Sequence, residues 1–441
     1  MTTPLTVEKE HRKQPQAIQS DRGRGPLTRL LSKLGPGLIT GASDDDPSGI
    51  ATYSQVGAQF GYTLLWTMLI SYPLMAAIQE ICARIGRVTG RGLAANLREN
   101  YPKPLLFLVL LLMSAANVFN LGADIGAMGS SAALLVPRAA TLFTVIFGVF
   151  SLLTILFIPY RTYTKYLKWL TLSLFAYLGV AFLVRVSWPD VVSATVIPRM
   201  TFTREAFVAL IAVLGTTISP YLFFWQASQE AEEVRNNRGE KALKRAPAQA
   251  PKQLQRIHAD TLVGMAFSNI VAFFIILTAA ATLHSHGITN IASCAQAASA
   301  LEPIAGRFAS VLFVCGIVGT GLLAVPVLAA SAAYGIGEGC RWKTSLEKKP
   351  VEAPRFYSTI GIATVIGLVM NFLHIDPVKA LVWAAALNGL VAAPLMFVIM
   401  LMASSTKVMG KFKVPRYLLW TGWLATAMMA YVCAGVFLTW K

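Results

Sequence analysis

Eleven apolar runs of about 20 residues recur along this chain, each long enough to cross a hydrocarbon core about 30 Å thick as a helix. They fall at 35–57, 62–84, 104–135, 139–158, 165–187, 205–229, 258–284, 307–336, 356–374, 377–403 and 416–440. No soluble core of this size accommodates so many such segments. Composition agrees: 55% of residues are hydrophobic and 13% charged, about half the charged share of a soluble domain. The chain therefore reads as an all-α polytopic membrane protein. Its basic first 34 residues contain no apolar stretch of the signal-peptide kind, so no cleaved leader is expected.

Lys and Arg number 38 against 21 Asp and Glu, a formal net charge of +17. A nucleic-acid partner would require that excess on one face or in one domain. Instead, 31 of the 38 cations fall in the N-terminal tail and in alternate connections: 84–104, 161–168, 235–256, 341–355 and 407–416. That alternation is the positive-inside pattern. It supports eleven spans in the plasma (inner) membrane, the N-terminus cytoplasmic and the C-terminus outside, with the lipid bilayer and no nucleic acid as partner.

Cys82, Cys294, Cys315, Cys340 and Cys433 are odd in number, lack CxxC spacing and read as small apolar filler. His284 and His286 flank an expected external turn and read as solvated polar residues in preference to metal ligands.

Charge inside an apolar span costs a few kcal/mol and marks function by default. The first span carries Asp44, Asp45, Asp46, Pro47, Ser48 and Gly49 near its middle. Pro47 removes a backbone donor and clashes with the preceding turn, and Gly49 adds freedom, so the helix should break there. Unwound carbonyls beside a carboxylate form an oxygen cage for a cation. The sixth span has a matching break at Gly215-Thr-Thr-Ile-Ser-Pro-Tyr221. Each broken span opens a block of five, and blocks with an odd number of spans are inverted relative to one another. Paired breaks at corresponding positions point to a midplane site; ordinary proline kinks are the competing explanation. Asp46 is the expected ligand. Asp45 is a second candidate and Asp44 a weaker one, because three anions repel too strongly to share one site. Ser43 belongs to the same unwound stretch.

Gly35-Pro-Gly-Leu-Ile39, Asp46-Pro-Ser-Gly49, Ala83-Arg-Ile-Gly-Arg-Val-Thr-Gly90 and Ser219-Pro-Tyr221 together resemble the Nramp divalent-metal transporters over residues 33–403. The resemblance implies a LeuT-type five-plus-five inverted repeat with helices 1 and 6 broken at mid-membrane, and alternating access to a midplane metal site. The implied organisation is a cytoplasmic tail (1–34), a first repeat (35–187), an inverted second repeat (188–403), and an eleventh helix with an external C-terminus (404–441). Transition-metal members read Asp-Pro-Gly-Asn and Met-Pro-His at the breaks. Here the Asp is Asp46, the Asn position is Gly49, the Met position Ser219 and the His position Tyr221. The Thr216 carbonyl matches a family ligand. Without the thioether the remaining oxygen donors suit Mg2+, Ca2+ and Mn2+, and the smaller residues leave room for a partly hydrated Mg2+. This combination resembles the Nramp-related magnesium transporters.

The family's proton-coupling residues on helices three and six correspond to Asn120, Ala123, Tyr221 and Gln226, none of which titrates usefully near neutral pH. Asp124 lies one position from the Ala123 site and is the alternative proton acceptor. Gln226, Gln229 and Glu230 share one face of the sixth helix and line an expected ion path with Tyr221, Asp124, Asn120 and Asn388. Glu232 and Glu233 read as an interfacial cap or as further path residues. Asn269 reads as an interhelical bond, and Glu80 as the partner of Arg84. The expectation is passive Mg2+ transport, with Mn2+ as a second ion, by a monomer that needs no cofactor and is no enzyme. Two alternatives are a proton-coupled Mn2+ symporter and an enzyme holding Mg2+-diphosphate on Asp44 to Asp46. The enzyme would need a second intramembrane acidic cluster, which the sequence lacks.

Overall fold

The computed structural model describes residues 40–439 apart from 42, 159–172, 238 and 374. Among the described residues, nine helical segments are long and apolar enough to cross a membrane, and they coincide with nine of the eleven expected runs. Of the first run, residues 43 and 44 are helical, Asp45 bends, and α1 (Pro47–Phe60) follows. Then come α2 (Trp66–Thr89), a short α3 (Leu93–Asn100), α4 (Lys103–Ala132) and α5 (Ala140–Phe157). Only the later part of the fifth run, α6 (Phe175–Leu183), is described; the basic 161–168 connection and the N-terminal tail lie outside the described residues. A short α7 (Trp188–Val196), not expected from the sequence, fills the connection to the sixth run.

That sixth run divides into α8 (Arg204–Thr217) and α9 (Pro220–Asn236). It is followed by α10 (Ala250–Thr282), α11 (Ala309–Gly339), α12 (Pro354–Met370), α13 (Pro377–Ser404) and α14 (Arg416–Leu438). Proline begins α1, α9, α12 and α13, at a position whose N–H has no helical partner to lose. Side-chain caps from Asp46, Thr203 and Asp376 start α1, α8 and α13.

Three other prolines, Pro73, Pro326 and Pro394, sit inside continuous helices. Proline alone therefore does not interrupt these spans, and kinking does not account for the two breaks. The broken halves are held by close backbone contacts between small residues, the usual means of helix association in lipid. A Cβ on Gly215 would lie 2.1 Å from the Ala385 carbonyl oxygen, so α8 rests directly on α13. One on Gly86 would lie 2.2 Å from the Ala227 oxygen, so α2 rests on α9. The outward surface carries exposed apolar side chains such as Phe107, Leu111, Phe150 and Trp420, as a lipid-facing belt requires.

Candidate ion site

At the first break the chain leaves the helix at Asp45 and re-enters it at Pro47, with Asp46 extended at φ −70°, ψ 170°. Asp46 Oδ1 accepts from the Gly49 amide and from Ser48 Oγ, both at 2.7 Å. Its Oδ2 accepts from Asn120 Nδ2 on α4 at 3.0 Å. The carboxylate is thus buried and fixed by three donors.

The Asp triplet splits between two helices. Asp44 and Asp45 turn to α10, where Ser268 Oγ lies 2.6 Å from Asp44 Oδ2 and 3.1 Å from Asp45 Oδ1. Asp45, expected as a second ligand, shares Ser268 with Asp44 through Oδ1, while Asp46 meets Asn120 on α4.

At the second break Ser219 is extended ahead of Pro220, and its hydroxyl donates to the carbonyls of Thr216 at 2.7 Å and Gly215 at 3.0 Å. The two expected oxygen donors, Thr216 and Ser219, are therefore held together, each keeping lone pairs for a further partner. The breaks also meet each other. A Cβ on Gly49 would stand 2.9 Å from Thr216 Oγ1 and 3.4 Å from the Tyr53 ring. The space expected beside Gly49 for a hydrated ion is thus partly taken by the Thr216 side chain.

Tyr221 is not on an open path. Its hydroxyl donates to the Ser43 carbonyl at 2.8 Å and bridges the two broken helices, leaving that carbonyl a second lone pair. Gln226 Oε1 accepts from Thr40 Oγ1. Several buried polar atoms nearby have no hydrogen-bond partner: Asn120 Oδ1, both amide atoms of Asn388 and Ser43 Oγ. More than nine in ten buried polar groups are normally paired. So many orphans beside two helix breaks describe a place built for water or an ion. Among the described residues no three His, Cys, Asp or Glu side chains converge to hold a metal.

Farther along α9 the expected path residues are locked. Glu230 accepts from Arg256 Nη2 at 2.6 and 2.8 Å and lies 3.8 Å from Arg87. Arg87, fully buried, also pairs with Glu240 at 2.5 Å. Gln229 Nε2 reaches the Tyr334 hydroxyl at 3.4 Å. Glu232 is no interfacial cap: it is 4% exposed and accepts from Tyr334 and Ser345. The expected Glu80–Arg84 pair forms at 2.6 Å, with His258 added at 2.8 Å. Asn269 makes the expected interhelical bond, to the Met68 carbonyl at 2.9 Å. His284 and His286 bind the Ala58 and Thr282 carbonyls separately. Glu240, in the connection after α9, would be raised by burial, but the hydrogen bond and charge of Arg87 hold its carboxyl below the usual range.

The two faces of the bundle differ. Near the basic connections the ends of α2, α9 and α11 are sealed by the contacts just described. On the opposite face a cavity of about 270 Å3 opens between α1, α8 and α13, lined by Thr52, Gln59, Glu205, Ala212 and Trp383 among others. Thr52 is one turn from Gly49 and Ala212 one turn from Thr216, so this cavity approaches the breaks.

The fold aligns with a crystal structure of the Eremococcus coleocola manganese transporter at TM-score 0.73 and 19% identity, covering 95% of this chain and 88% of that one. It also aligns with MhsT in complex with L-phenylalanine at TM-score 0.60 and 11% identity, covering 91% of this chain and 98% of that one. These likenesses carry the LeuT-type architecture with inverted five-helix repeats. In sequence, the divalent metal cation transporter MntH of Klebsiella pneumoniae (strain 342) is 24% identical over 93% of this chain and 95% of its own length. MntH of Deinococcus radiodurans is 26% identical over 69% and 68%. With the family model for natural resistance-associated macrophage protein-like chains matching residues 37–439, the protein belongs to the Nramp family.

Proposed function

We propose that the protein is a passive divalent-cation transporter that carries Mg2+, with Mn2+ as a second substrate, by alternating access from the cell exterior to the cytoplasm. Asp46 supplies the charge; the Thr216 carbonyl, Ser219 Oγ and water supply the remaining oxygens. The observation that carries this reading is the pair of helix breaks meeting at Gly49 and Thr216 with oxygen donors alone at the break positions. Hard ions take such donors, whereas a thioether or imidazole would favour softer ones. The unpartnered polar atoms of Asn388 and Asn120 suit the waters that Mg2+ retains. With the basic face taken as cytoplasmic, the cavity toward α8 and α13 is the external vestibule and the sealed ends of α9 and α11 close the inner side.

A second reading is proton-coupled Mn2+ symport. One observation favours it: Asp124 is fully buried on α4, one turn beyond Asn120 and close to Asp46 and the Ser48 backbone, with no cation beside it among the described residues. Such a carboxyl is suited to take up a proton. The MntH relatives and the Eremococcus manganese transporter are consistent with that reading.

Uptake of Mg2+, Mn2+ and Cd2+ into proteoliposomes separates hard from soft selectivity. Saturable Mg2+ and Mn2+ uptake with poor Cd2+ uptake is expected. Preferred Cd2+ uptake without Mg2+ uptake would remove the magnesium reading.

A further inference from the structure

On the face opposite the basic connections, the ends of α1 and α10 and the short α7 enclose a second cavity, of about 320 Å3. It shares no lining residue with the cavity toward α8 and α13, and its size falls within the range of small-ligand sites. Gly61 and Tyr62 line it from the turn after α1, Asp190 and Ser193 from α7, Arg199 from just beyond α7, and His284 from just beyond α10. The ion path uses none of these residues.

Two features of its wall select a ligand. The first is α7 itself. Trp188, Val192 and Val196 recur at i, i+4 and i+8 and are all exposed, while Asp190 and Ser193 on the other side of the helix face the cavity. Phe182, exposed near the end of α6, packs its ring against Trp188 at 5.9 Å and extends the apolar side. A short helix with an apolar face carrying Trp, beside the end of a membrane span, lies in the membrane interface. The cavity behind it is therefore at the level of the phospholipid headgroups. The second feature is charge. Asp190 and Arg199 line one cavity, yet among the described residues neither forms an ion pair. A lone anion entering would meet Asp190 and a lone cation Arg199, whereas a ligand carrying both signs satisfies each. His284 adds an acceptor: its Nδ1 lies 2.8 Å from the Ala58 carbonyl, which can only accept, so the proton sits on Nδ1 and Nε2 presents a lone pair.

We infer that this cavity is a binding site for the headgroup of a zwitterionic phospholipid with a primary amine, phosphatidylethanolamine, with its phosphate on Arg199 and its ammonium on Asp190 and His284 Nε2. The guanidinium suits a phosphate oxygen pair, and Ser193 Oγ supplies a further donor. The ammonium has three N–H donors for the carboxylate and the imidazole; a trimethylammonium has none. The acyl chains then run along the Trp188–Val192–Val196 side of α7. A lipid seated there ties α7 to the outer ends of α1 and α10, the helices that carry Gly49 and Ser268. The inference is independent of the ion carried and of how transport is driven.

Lipid retention tests it. The full chain in detergent is given equal amounts of phosphatidylethanolamine, phosphatidylcholine and phosphatidylglycerol, and native mass spectrometry counts the lipid that stays bound. The parent should retain one phosphatidylethanolamine at least about tenfold better than either of the others, the scale of a hydrogen bond to a charged group. Asp190→Asn should bring phosphatidylethanolamine down to the level of phosphatidylcholine, and Arg199→Gln should weaken both. Both side chains are exposed, so the variants should fold as the parent does, which thermal unfolding verifies. Soluble phosphoethanolamine should displace the lipid only at about a hundredfold excess or more, because it lacks the chains that α7 faces. Equal retention of phosphatidylcholine or phosphatidylglycerol by the parent, or unchanged retention in both variants, overturns the site. Soluble phosphoethanolamine binding as tightly as the lipid would assign the cavity to a soluble zwitterion and overturn the lipid assignment. If either variant fails to fold, the parent's preference among the three lipids decides. Failure of the Mg2+ reading would leave the retention result intact.

Discussion

Asp46→Asn separates the two duties that the Asp46 carboxylate performs, capping α1 and carrying charge. As a cap, Asp46 Oδ1 takes the Gly49 amide and Ser48 Oγ at 2.7 Å. Asn caps about as well as Asp, and one amide oxygen serves both donors. The new NH2 group would face Asn120, whose own Oδ1 lacks a partner and accepts it once the amide turns over. The fold should therefore lose no more than about 1 kcal/mol. As a charge, Asp46 is the one carboxylate tied to the Asn120 side, and removing one member of a buried ion pair costs about 3–5 kcal/mol. At about 1.4 kcal/mol per tenfold, the affinity for Mg2+ should fall at least about 100-fold. Asp46→Ala should abolish uptake and additionally lose about 1 kcal/mol of cap. The assay is Mg2+ uptake into proteoliposomes over a concentration series, with thermal unfolding of the same preparations in detergent. A well-folded Asp46→Asn protein whose half-saturation lies within about tenfold of the parent would refute the role assigned to the carboxylate.

Three further outcomes are expected. Gly49→Asn with Ser219→Met should lower Mg2+ uptake, since the new Cβ presses on Thr216 Oγ1 at 2.9 Å, and should raise Cd2+ uptake without lumen acidification; acidification would show that the proton path was misjudged. Asp124→Asn should leave the lumen pH response unchanged, and loss of an acidification seen in the parent would establish Asp124 as the proton acceptor. Glu240, held low by Arg87 against the opposing effect of burial, contributes stability above its unfolded pKa and loses it as pH falls through its lower folded value. Protection of residues 239–246, measured against the intrinsic exchange rate at each pH, should therefore fall under acid, and Glu240→Gln should show the lower protection already at neutral pH; identical protection in both proteins would remove the Arg87 anchor.

What the residues disclose before folding is mostly local. A proline beside an aspartate, or after a serine, interrupts a helix through its own missing donor and its neighbours' polarity, so the breaks at Asp46 and Ser219 are legible. So is Glu80 with Arg84, a pair set by helical spacing. The partners that give the other polar residues their duties lie far along the chain. Ser268 draws Asp44 and Asp45 aside across more than 220 residues. Tyr334 turns Glu232 from an apparent surface cap into a buried acceptor across 102 residues. Glu230 looks like a path residue on α9 alone and becomes a locked ion pair only when α10 supplies Arg256. Periodicity reports the face a residue occupies and says nothing of the helix packed against it. The Thr216 side chain beside Gly49 is hidden from sequence for the same reason, because it comes from the other broken helix.

The central claim is that a divalent cation crosses at Asp46 without an obligatory proton. The most direct test records Mg2+ influx and lumen pH together in proteoliposomes held at 100 mV, inside negative, a potential worth about 4.6 kcal/mol to a divalent ion. Mg2+ should enter saturably while lumen pH stays constant, and collapsing the potential should slow it. Acidification that rises in proportion to Mg2+ or Mn2+ influx would contradict the claim and establish symport.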